Sequence, residues 1–146
     1  IILYFCQKFS LGKILAIDYG EKRIGLAVTD DMKMIAFGLT TIATPEIFEY
    51  LADYIPNENV DTIVVGEPKQ MDNTASESEV HIAPFLVKLA EKFPKVAIKR
   101  HDERFTSKMA FQTMLDSGLK KKQRKNKALI DEISATIILQ DFLKTV

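Results

Sequence analysis

The chain has one cysteine, Cys6, which excludes an internal disulfide framework and any cysteine-built zinc site. A lone thiol suits a reducing, cytoplasmic setting. No apolar run is long enough to span a bilayer. The opening stretch, IILYFCQKF, is too short for that, and it lacks the basic lead-in and small-residue cleavage site of a secretory signal. There is no Gly-x-Gly dinucleotide loop and no Gly-Lys-Ser/Thr phosphate loop. No Ser-His-Asp order stands out. Of the two histidines, His101 ends an expected strand and His81 lies in an expected helix; both read as structural.

Charge of one sign is missing as well: 20 basic residues balance 20 acidic ones. A zero total argues against a polyanion partner, but the distribution argues for one. Thr41 to Pro94 holds ten acidic and three basic residues, whereas Lys95 to Lys127 holds eleven basic and three acidic. Such a chain can present one cationic face. Two solvated faces that differ in sign would look the same in sequence.

What is present is a chain long enough for one hydrophobic core, with 47% apolar residues. Residues 13–146 read as one domain, and residues 1–12 as an N-terminal extension. Ile14 to Ile17 is a short apolar run, the mark of a strand buried on both faces, and Asp18 stands where it stops. Gly20 allows a turn, Arg23 to Thr29 returns as a second strand, and Met34 to Ile42 closes a meander. Thr44-Pro45 reads as a helix start with Thr44 as cap, followed by Ile47, Phe48, Leu51, Ala52 and Ile55 at helical spacing. Val60 to Gly66 is another buried strand. Ser76 with Glu79 resembles a capping box, and Pro84 predicts a kink or break in the helix that follows. Val96 to His101 is the last strand, Thr106 to Met114 a helix, and Ala128 to Leu143 the final helix.

Two strands reached through helices should run parallel to the first. The fold class is therefore α/β, a five-stranded mixed sheet flanked by helices, with ligands expected beyond the carboxyl ends of its strands.

Three acids can converge there. Asp18 ends strand one, Glu103 follows the last strand, and Asp131 heads a helical row with Ala135, Ile138 and Phe142. Clustered carboxylates without Cys or His prefer a hard cation, Mg²⁺ or Mn²⁺. Glu67, at the end of the fourth strand, is a fourth candidate ligand or a loop acid paired with Lys69. Each of the other acids has a plainer reading: Asp18 as a turn cap, Asp131 as a helix-dipole acid, Glu103 as the partner of Arg100 or Arg104. Lys120, Lys121, Lys122, Arg124, Lys125 and Lys127 put six basic residues in eight. With Arg23 and Arg104 they are the candidate grip on a nucleic-acid backbone, and a solvated loop is their plainer reading.

Four segments, IDYGEKRIGLAVTD, VVGEPKQMDNTASE, HDERFTS and NKALIDEISATIILQ, resemble the YqgF family, also called RuvX. The resemblance covers roughly Lys13 to the end. It implies an RNase H-like fold related to Holliday-junction resolvases. It also implies a cytoplasmic bacterial nuclease, a hydrolase of phosphodiesters, that matures the 5′ end of pre-16S rRNA in ribosome biogenesis. The family's acidic triad maps onto Asp18, Glu103 and Asp131. Glu67 departs from the pattern, because many relatives carry an apolar residue there. Branched DNA is the alternative substrate, and resolution of a symmetric junction calls for a homodimer. A non-catalytic assembly factor on the same fold is a further alternative. A sugar-kinase relative would need two such domains, and this chain has length for one.

Overall fold

The computed structural model describes residues 12–68, 77–102 and 126–145. Five strands form one sheet: β1 (Lys13–Asp18), β2 (Arg23–Thr29), β3 (Ala36–Ala43), β4 (Val60–Glu67) and β5 (Ala97–Asp102). The described helices are α1 (Ile47–Asn57), α2 (Glu79–Lys92) and α3 (Lys127–Leu143). The expected Ser76 cap, the Thr106 helix, Glu103, Arg104 and Lys120 to Lys125 lie outside the described residues.

The spatial order is β3-β2-β1-β4-β5. β1 pairs antiparallel with β2, and β2 with β3; β4 pairs parallel with β1, and β5 with β4. This is the expected mixed sheet, and β1 at its centre buries Ile14 to Ile17 in full, as its apolar run required.

Period-two alternation sorts β1 between two cores. Leu15 and Ile17 join Ile63, Val65 and the helical residues Leu51, Phe85 and Leu89 on one face. Ile14 and Ala16 join Ala27, Val64, Ala135, Ile138 and Phe142 on the other. Helices α1 and α2 therefore cover one face and α3 the other. The buried positions of α1 are Ile47, Leu51 and Ile55, one row at four-residue spacing, while Ala52 faces solvent.

Three local expectations need correction. Thr44 does not cap α1: it opens a 3-10 turn, Thr44–Glu46, and its hydroxyl donates to the Gly20 carbonyl at 2.7 Å, bracing the β1–β2 turn instead. Pro84 does not split its helix. It stands on the exposed side of α2, in the second turn, and the helix runs on to Lys92. β3 begins at Ala36 rather than Met34, because the Asp30 carboxylate accepts from Met34 N and Ile35 N and folds those residues into the turn. No described helix is long and apolar enough to cross a membrane.

Candidate active site

Asp18 is the last residue of β1, and its cross-strand partner is Gly25 in β2. Alternation sets Asp18 in line with Ile14 and Ala16, on the face that α3 covers. Gly25 shares that face, and a Cβ added there would collide with the backbone carbonyl of Asp131. The start of α3 thus rests directly on the strand residue paired with Asp18. Glycine is required because any side chain would push the helix off the sheet. Gly38 in β3 makes a second close approach, where a Cβ would meet the side chains of Glu132 and Thr136.

Two contacts fix where α3 begins. The Asn126 side chain caps it, accepting from Ala128 N at 3.1 Å and Leu129 N at 3.3 Å. The Thr41 hydroxyl of β3 donates to the Ala128 carbonyl at 2.7 Å. Asp131 follows beyond the first turn, so the helix-dipole reading does not describe it. Its row partners Ala135, Ile138 and Phe142 are buried as their spacing predicts.

Arg23, the first residue of β2, forms an ion pair with Asp131 through Nε and Oδ2. Both atoms are shielded from solvent, and neither has a hydrogen bond of good geometry among the described residues. Burial raises the Asp131 carboxyl above the usual carboxylate range, although Arg23 and then Lys127 pull the other way. Lys127 opens α3 and is exposed.

Glu67 ends β4 in line with Ile63 and Val65, on the face opposite Asp18, and pairs in register with Asp102. Arg100 is held by Glu79 at 2.8 and 3.0 Å. His101 meets Asp141 at 2.6 Å and sits edge-on to Phe142, tying β5 to α3. His81 pairs with Glu21 at 3.0 Å.

The oxygen donors suit a hard divalent ion, and a shielded, burial-strained carboxylate oxygen facing a cation is the kind of group such an ion would take. Among the described residues, no three His, Cys, Asp or Glu side chains are gathered closely enough to hold one. Glu103 lies outside them.

Sequence reasoning missed Gly25, Thr41 and Asn126. A glycine inside an apolar strand signals a close backbone approach, and Asn immediately before a helical run signals a cap. Nothing in the sequence marks Thr41.

Residues 12–145 match the model of the family described as RuvX, Holliday junction resolvase. The chain belongs to the RuvX family. A relative from Christiangramia forsetii, named "Putative pre-16S rRNA nuclease", is 62% identical over 133 residues, covering 91% of this chain and 98% of its own. One of the same name from Flavobacterium psychrophilum is 61% identical over 131 residues, covering 90% of this chain and 96% of its own. Among solved structures, Thermus thermophilus RuvC in complex with a Holliday junction substrate superposes with a TM-score of 0.54 at 17% identity, covering 92% of this chain and 94% of that one. A second Thermus thermophilus RuvC structure gives 0.53 at 16% identity, covering 91% of this chain and 95% of that one. This RuvX chain therefore has the RNase H-like fold that its sequence implied.

Proposed function

We propose that the chain is a divalent-metal-dependent endonuclease that trims the 5′ end of pre-16S rRNA in ribosome biogenesis. Its family membership supports nuclease chemistry. The observation that carries the reading to residues is the contact of Gly25, the partner of Asp18, with the backbone of Asp131. Two carboxylates on one face of one sheet end are the start of a phosphodiesterase site.

In this reading Asp18, Glu103 and Asp131 hold one or two Mg²⁺ or Mn²⁺ ions, and Glu67 is an outlying fourth acid. A bound divalent ion lowers the pKa of water and neutralises charge that develops on the phosphate oxygens. The chain's own residues supply the rest. The carboxylates fix the position of the ion. Arg104 and the basic residues Lys120, Lys121, Lys122, Arg124, Lys125 and Lys127 hold phosphates on either side without reading sequence.

Cleavage of branched DNA is the second reading, favoured by the description of the matching family model. The test is a cleavage assay on a pre-16S rRNA fragment and on a four-way DNA junction, each titrated with Mg²⁺ and Mn²⁺, with Asp18→Asn as control. Metal-dependent trimming of the RNA that disappears in Asp18→Asn supports the proposal. Cutting of the junction alone would transfer it to DNA. Salt-sensitive binding with no cleavage in either metal would leave a non-catalytic assembly factor.

A further inference from the structure

We infer that Arg23 is a positioning residue: it holds the Asp131 carboxylate while no divalent ion is bound, and it turns to a phosphate of the nucleic acid once an ion takes that carboxylate. The inference rests on the metal-site reading above and adds an exchange of partners to it.

The geometry supports an exchange rather than a fixed strut. The Nε of Arg23 lies on Oδ2 of Asp131, both atoms are shielded, and no second hydrogen-bond partner among the described residues anchors either. The rest of the guanidinium is less confined, since the Arg23 side chain keeps 35% of its surface exposed against 22% for Asp131. The arginine can therefore swing outward, whereas the aspartate is fixed by the helix beneath it.

Electrostatics makes the two cations competitors. A guanidinium and a divalent ion on one carboxylate repel each other, and shielding from solvent strengthens that repulsion. Without either cation the carboxylate would be buried and unpaired, which burial alone already disfavours. Arg23 fills that role in the free protein. Released by the ion, it stands at the first residue of β2, beside the sheet end where a phosphate would lie. Its planar fork matches a phosphate as well as a carboxylate. Metal and nucleic acid then favour each other's binding, and by linkage the factor is the same in both directions.

The test is Mn²⁺ binding to the full chain by calorimetry at pH 8, for wild type, Arg23→Gln, Arg23→Lys and Asp131→Asn. Arg23→Gln should bind Mn²⁺ about tenfold more tightly, and Arg23→Lys, which keeps the charge, should stay within about threefold of wild type. Asp131→Asn should lose at least about tenfold. Affinity for a short single-stranded RNA should rise about fivefold on adding Ca²⁺ to wild type and stay nearly constant in Arg23→Gln. Unchanged or weaker Mn²⁺ binding in Arg23→Gln, beside a loss in Asp131→Asn, would overturn the exchange alone. Wild-type Mn²⁺ binding in Asp131→Asn would overturn the metal site itself. A measurement on wild type guards against a misfolded variant: the Arg23 Nε–H resonance should move with the same midpoint as Mg²⁺ binding. A resonance that stays in place at saturating Mg²⁺ would refute the exchange.

Discussion

The carbonyl of Asp131 lies against the α-carbon of Gly25, so the helix bearing one candidate carboxylate rests on the strand residue paired with the other. The contact is backbone on backbone. It can hold Asp131 in place only while position 25 has no side chain.

Gly25→Ala should therefore be among the most damaging single-methyl changes in the chain. The atoms in its way are the carbonyl carbon and oxygen of Asp131, not the flexible end of a side chain. Either α3 lifts or β2 bends, at a cost of about 1–3 kcal/mol, the range for overpacking. Thermal melting should show that loss, and Mn²⁺ affinity should fall with it. A melting temperature within a degree of wild type would mean that the helix is free to shift.

Asp131→Asn should melt at a higher temperature than wild type near neutral pH in the presence of a chelator. Burial, opposed by Arg23 and Lys127, raises the folded-state pKa of Asp131. The unfolded chain ionises at the ordinary value of about 3.9. Between those two values the unfolded state has released a proton that the folded state still holds, so stability falls as pH rises through the window. Above that window the penalty is complete, and the neutral amide escapes it. The gain should appear as a higher melting temperature at pH 7. It should vanish below about pH 3.5, where the carboxyl is protonated in both states. Melting curves across that range decide the matter, and an amide that destabilises at pH 7 would show that the Arg23 pair outweighs burial.

Arg100 offers a contrast on the opposite face. Its guanidinium grips both oxygens of Glu79 and donates to the carbonyls of Val65 at 3.3 Å and Gly66 at 3.1 Å. It pins the first turn of α2 to the end of β4. Arg100→Ala should cost about 1–3 kcal/mol, as for charge-assisted bonds to half-buried groups. Mn²⁺ affinity should stay within about twofold of wild type, a change under 0.5 kcal/mol, because Asp18 and Asp131 lie across the sheet. Chemical denaturation and calorimetry on the same variant separate the two effects.

The sheet was legible because β1 and β4 are short apolar runs that stop at an acid, Asp18 and Glu67, and because two helical spacings between strands dictate parallel return. The order β3-β2-β1-β4-β5 follows from that logic. Asp131 was legible because an acid heading an apolar helical row must face the sheet. The ion pair with Arg23 was not, since Arg23 and Asp131 are far apart in sequence and nothing local links them. Thr44 misled because a hydroxyl before proline fits a helix cap, whereas tertiary contact with Gly20 claimed it. The Glu67 face was readable from alternation with Ile63 and Val65, but position at a strand end alone suggested convergence with Asp18.

The basic residues from Lys120 to Lys127 give the most direct test of how the chain holds a polyanion. Each lysine in phosphate contact releases condensed counterions, so the logarithm of affinity should fall with the logarithm of salt concentration at a slope of roughly 0.7–0.9 per contact. Replacing Lys120, Lys121 and Lys122 together by glutamine should lower that slope by roughly two to three and weaken binding equally on unrelated sequences. Thermal stability should scarcely change, because a run of like charge repels itself and gains by neutralisation. Fluorescence anisotropy of a labelled RNA at several salt concentrations measures the slope. A slope equal to that of wild type would remove these lysines from the interface and leave Arg23 and Arg104 to carry the phosphates.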